Sequence, residues 1–126
     1  SKLAALKPPS LDSVSLELVA PSTLRVSGTI AVRDPATHVG KFFEQVHKGA
    51  IEDGLREVKV DISKLTFVNS SAIRIFLDWA SWLGAVEPAK RYKLEFLTSK
   101  NVTWQRTAFP TIVMLTRNMV TVRDID

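Results

Sequence analysis

Cysteine is absent from the 126-residue sequence, which excludes a disulfide framework and a thiolate metal site. Histidine is scarce. His38 and His47 are the only two, and neither has a second histidine at the short spacing of a structural zinc site. Long apolar runs are lacking too: no stretch approaches the roughly 18 residues of a membrane span, and no signal-peptide or lipidation pattern is present. The expectation is a cytoplasmic chain with no metal, no cofactor and no membrane contact. The G-x-S-x-G elbow, the phosphate-binding G-x-x-x-x-G-K-[ST] loop and the H-E-x-x-H pair are also missing. Catalysis needs convergent groups in a pocket, so no catalytic residue is expected.

Charge is present but unfocused. Seventeen Lys and Arg against 13 Asp and Glu give a net charge of +4. The basic residues are spread along the chain, Arg56, Lys64, Arg106 and Arg123 among them, and the densest group is Lys90-Arg91-Tyr92-Lys93. There is no arginine-rich arm and no interleaving of aromatics with basic residues, so a solvated surface is expected and a nucleic-acid partner is not. With 45% apolar and 24% charged residues, the chain fits one globular domain.

Residues 1–12, with Pro8-Pro9 and little periodicity, read as a flexible leader, and 13–126 as a single domain. Val14, Leu16 and Leu18 alternate with polar residues, and Leu24, Val26, Gly28 and Ile30 alternate again beyond a turn at Pro21-Ser22, the pattern of an antiparallel hairpin. Asp34-Pro35 marks a helix start with Asp34 as cap; Val39, Phe42, Phe43, Val46 and Ala50 follow at helical spacing. Val58, Val60 and Ile62 form a strand, and Leu65, Phe67 and Val68 lead into the polar turn Asn69-Ser70-Ser71. A helix to about Gly84 comes next, then a strand over Tyr92, Leu94 and Phe96. Ser99 caps a short helix that Pro110 breaks or bends, and Val120 and Val122 form a last strand. The order β-β-α-β-α-β-α-β is that of an α/β domain, a mixed sheet with helices packed against it.

The helix after Ser70 carries two apolar stripes. Ile73, Phe76, Leu77, Ala80 and Gly84 are expected to face the sheet. Ile75, Trp79, Trp82 and Val86 fall on the nearly opposite side, leaving a narrow polar strip at Arg74, Asp78 and Ser81. Either the leader or the C-terminal helix covers the tryptophans, or they form a patch for a partner or a second copy of the chain, as tryptophan-rich interfaces do.

The stretch from Val58 to Ile73, V-K-V-D-I-S-K-L-T-F-V-N-S-S-A-I, resembles the signature of STAS domains, the family of bacterial anti-sigma factor antagonists and sulfate-transporter tails. That signature is a strand of the form V-x-D-[LI]-S, an apolar pair, then D-S-S-G-[LI] opening a helix. The chain departs from it at Asn69, where the family has Asp, and at Ala72, where it has Gly. Ala31 stands where antagonists tend to carry an acidic residue. The order of elements over about residues 13–125 also follows the family. The resemblance implies a STAS-like fold and a non-catalytic protein-binding module in bacterial signalling. Its implied partner is a serine kinase or anti-sigma factor, or a scaffold component. Ser70 is then the candidate phosphorylation site, with Ser71 second, and Asn69, Ser70, Ser71, Arg74, Ile75, Asp78, Trp79 and Trp82 form the candidate partner surface. Physically, a phosphate suits a helix N-terminus, while an ordinary capping role suits a serine equally well. The departures favour a constitutive adaptor over a phosphorylation switch. The rival class is a domain binding a small ligand or nucleotide in a crevice at the strand ends.

Overall fold

A computed structural model describes residues 1–20 and 22–126. Among them lie six strands, β1 (Val14–Ala20), β2 (Thr23–Ile30), β3 (Glu57–Asp61), β4 (Leu65–Val68), β5 (Lys93–Thr98) and β6 (Val120–Asp124). Three α-helices, α1 (Val39–Glu52), α2 (Ser70–Gly84) and α3 (Thr103–Leu115), pack against one mixed sheet. The sheet runs β1-β2-β3-β5-β6, with β4 paired to β2. The first two strands are antiparallel, with Leu16 opposite Val26, and the remaining pairings are parallel. The α/β class and the order expected from the pattern are the ones observed, with one strand added. Pro21, half of the expected turn, lies outside the described residues. No helix is long and apolar enough to cross a membrane, and no three metal-capable side chains cluster, among the described residues.

The extra strand is β4. Only its end residues, Leu65 and Val68, are buried, and its pairing with β2 is interrupted by a register shift between Gly28 and Thr29. Its backbone is also held from the side by α3. The indole Nε1 of Trp104 donates to the Leu65 carbonyl (2.7 Å), and the Gln105 amide Nε2 donates to the carbonyls of Ile62 and Leu65. Gln105 is 2% exposed, and its Oε1 accepts from the Ser99 N–H (2.9 Å). One buried amide thus satisfies three backbone groups that burial would otherwise leave costly.

The core lies between the helices and one sheet face. Phe43, Phe76, Trp79, Phe96 and Phe109 form its centre, with ring centroids 4.8–6.3 Å apart along the chain of contacts. The opposite sheet face is charged and crossed by ion pairs, Arg25 with Glu17 and Asp61, Lys59 with Glu57, and Arg123 with Glu95. This is where part of the scattered positive charge goes.

Several local expectations are corrected. Asp34 makes no side-chain cap; a 3-10 turn over Pro35–Thr37 intervenes and α1 begins at Val39. Ser99 does not cap α3, whose N-cap is Val102; its hydroxyl donates to Asp126 and accepts from the Asn101 N–H. Pro110 sits inside α3 without ending it. The first three residues of the leader are held against the end of α1. Leu3 is 2% exposed against Gly49, and the Asp53 carboxylate accepts from the Ser1 hydroxyl and the N–H groups of Leu3 and Lys2. The Ser1 hydroxyl first, then those N–H groups, hold the Asp53 carboxyl at about 2.

Buried polar groups meet where α1, α2 and β5 converge. Trp79 Nε1 donates to the Tyr92 hydroxyl (2.6 Å), which lies 2.8 Å from His47 Nδ1. Donation of the Tyr92 proton to His47 Nδ1 satisfies both groups while the phenol oxygen accepts from Trp79, and it corresponds to the Nε2–H tautomer. Burial pushes the Tyr92 phenol well above its usual range, partly offset by Trp79. Burial also lowers the His47 pKa; Glu44 opposes the shift and Lys48 adds to it. Because His47 binds its proton more weakly folded than unfolded, stability is fully present above the unfolded value near 6.5 and declines as pH falls through it. Urea unfolding between pH 7.5 and 5 is expected to show this loss. His47→Asn, which keeps an acceptor near the Nδ1 position, is expected to flatten the profile.

Candidate functional site

The turn Asn69-Ser70-Ser71 stands at the carboxyl ends of β2 and β4. Asn69, not a serine, caps α2. Its Oδ1 accepts from the Ala72 N–H (2.9 Å) and its Nδ2 donates to the Val32 carbonyl (2.8 Å). Its backbone N–H also reaches the Ile30 carbonyl (2.9 Å), tying the end of β2 to the start of α2. Asn69→Ala is therefore expected to cost about 1–2 kcal/mol, near the upper end for a lost cap, measurable by chemical denaturation.

With Asn69 in that role, Ser70 and Ser71 are exposed first-turn residues whose hydroxyls have no hydrogen-bond partner among the described residues. They open onto a groove of about 560 Å³ between α2 and the loop that follows β2. Arg74 and Asp78 continue the helix wall, Arg33 and Asp34 form the facing rim, and Pro35, Ile73 and Leu77 supply apolar surface. None of Arg33, Asp34, Arg74 or Asp78 is in an ion pair among the described residues. No histidine or cysteine lines the groove.

The structure thus gathers Ser70, Ser71, Arg74 and Asp78 on one surface, with Asn69 beneath. It removes Trp79 from that surface: Trp79 is 0% exposed, inside the core against Phe43 and Phe96. Ile75 is 1% exposed; it abuts the groove wall but offers it almost no area. Trp82 is half-buried beside His47, away from the serine turn. The cause is the rotation of α2. At about 100° per residue, the buried face, Ala72, Ile75, Phe76, Trp79, Ala80 and Leu83, is centred between the two apolar stripes. The sheet takes neither stripe alone. Phe43 of α1 and Phe96 of β5 cover Trp79.

Arg33 and Asp34 were not anticipated as site residues. The signal was in hand, since Asp34-Pro35 breaks the chain after β2, and parallel return of β4 beside β2 brings that break next to Ser70. Compared with protein families and with curated proteins, the chain matches no family and no curated protein.

Proposed function

We propose that the chain is a non-catalytic protein-binding module of the STAS type, an adaptor in bacterial signalling that docks its partner over the groove at the start of α2. The observation that carries this reading is the groove itself, where two exposed serine hydroxyls meet four charged side chains that have no ion-pair partner among the described residues. Unpaired charges of both signs around an apolar strip suit a polar protein surface that needs orientation, because complementary charges fix register and exclude wrong partners. Proximity of Ser70 to the positive end of the helix dipole makes it the position at which a phosphate would be tolerated. The added charge of about −1.5 to −2 would alter any docked surface. Without phosphorylation the same groove serves as a constitutive contact.

Affinity capture from the native host's cytosol tests this, using wild type, Ser70→Asp and Arg74→Glu. An aspartate in the first turn of a helix is compatible with folding, so loss of binding reads the surface. A partner held by wild type is expected to bind both variants at least about tenfold more weakly, a change of about 1.4 kcal/mol. A partner bound equally by all three would remove the groove from the contact.

A second reading is a small-ligand site. The groove volume lies within the range of ligand pockets, and it sits at strand carboxyl ends, where open α/β sheets bind ligands. Thermal stabilisation by a nucleotide with no partner protein present would favour it.

A further inference from the structure

A second groove, of about 470 Å³, lies between α3 and β6, away from the serine turn. Its floor is Phe109, 2% exposed, and its walls are Pro110, Val113 and Val122. Two charged side chains line it, Arg106 from α3 and Asp124 from β6. Both are exposed, and among the described residues neither is in an ion pair, although opposite charges share one groove.

The polar groups are unequal in what they still offer. Asp124 Oδ1 accepts from the Thr98 hydroxyl, which fixes the carboxylate and leaves Oδ2 as an acceptor. The groove therefore presents a carboxylate oxygen suited to a cationic donor, together with a guanidinium suited to a carboxylate in bidentate fashion. The remaining lining is apolar apart from the threonines and Gln105, whose amide is already committed to Ser99, Ile62 and Leu65.

The geometry points to a binding site for a free α-amino acid with an apolar side chain. Its carboxylate pairs with Arg106, its ammonium pairs with Asp124, and its side chain lies on Phe109, Val113 and Val122. A zwitterion with an apolar body is the smallest common molecule that satisfies both charges and covers the apolar floor at once. A simple fatty acid would leave Asp124 unmatched, and an alkylamine would leave Arg106 unmatched; each such mismatch weakens binding. This site is independent of the docking groove at α2, so either can fail without the other.

Isothermal titration of the 126-residue chain with L-leucine and L-phenylalanine tests the assignment, with N-acetyl-L-leucine and L-leucinamide as probes of the two charges. The free amino acids are expected to bind with Kd at or below roughly 1 mM, and each capped probe at least about tenfold more weakly. Asp124→Asn retains an oxygen for Thr98 and is expected to abolish the preference for the free amine; Arg106→Gln is expected to abolish that for the free carboxylate. Both positions are exposed, so circular dichroism should remain that of wild type. No binding by either amino acid, or equal binding by the capped probes, overturns the proposal. So does undiminished binding to both variants.

Discussion

Trp79→Ala is expected to lower the unfolding free energy by about 3–5 kcal/mol, the cost of emptying a large aromatic site in a packed core. Trp79 is fully buried. Its ring lies 4.8 Å from that of Phe43 and 6.3 Å from that of Phe96, so three elements lose contact at once. Its Nε1 also donates to the Tyr92 hydroxyl, and Tyr92 in turn meets His47. Removing the donor leaves a buried phenol oxygen with an unmet lone pair, which adds to the cavity term. Trp79→Phe separates the two contributions, since it keeps most of the ring volume and removes the donor; a smaller loss of about 1–3 kcal/mol is expected. Trp82→Ala, at a half-buried position, is expected to cost less than Trp79→Ala. Urea titrations followed by far-ultraviolet circular dichroism give all three values without relying on tryptophan emission. Against a typical domain stability of about 5–15 kcal/mol, Trp79→Ala would leave a marginal fold. A loss below about 1 kcal/mol, accompanied by loss of a protein partner, would return Trp79 to the surface.

The same residue shows what sequence patterning could and could not deliver. β3 alternates throughout, and β1, β2 and the first half of β5 alternate over the stretches Val14–Glu17, Leu24–Val26 and Lys93–Phe96, so the existence of these strands and of the hairpin was readable from period. β4 was not readable, because it is four residues long, its buried residues are its two ends, and Phe67 remains 50% exposed. The start of α2 at the serine turn was readable from its polar residues, yet which of them caps it was not. Asn69 takes the cap because its amide can also reach the Val32 carbonyl, 37 residues away, and no local pattern encodes that partner. The facing of α2 failed for a related reason. Apolar residues occupy most of its circumference, so periodicity leaves the rotation open until α1 and β5 supply neighbours. Likewise Arg33 and Asp34 enter the candidate site only through the parallel pairing of β2 with β4. What the sequence carried was the turn and its serines; what tertiary pairing added was the opposite rim.

Gly28→Ala is the second substitution with a large expected effect, and Gly54→Ala is its control. Both glycines have positive φ, +97° at Gly28 and +64° at Gly54, so each alanine pays the left-handed backbone penalty. They differ in surroundings. A Cβ at Gly54 meets nothing within 4 Å, whereas at Gly28 it would stand 2.3 Å from the Ser13 carbonyl oxygen. That oxygen cannot swing aside freely, because it accepts from the Thr29 N–H (2.9 Å), and Gly28 itself donates to the Lys64 carbonyl (3.0 Å). Relief would require β1, β2 and the approach to β4 to separate at the point where Gly28 pairs with both Val14 and Leu65. Gly54→Ala is therefore expected to cost about 1 kcal/mol. Gly28→Ala is expected to cost roughly 2–5 kcal/mol from backbone strain and overpacking together. Because β4 leads directly into Asn69, the shift should also loosen the serine turn, visible as faster amide exchange at Ala72, whose N–H the cap holds. Equal losses at the two glycines would mean that β1 does not approach β2 as closely as the Ser13 contact requires.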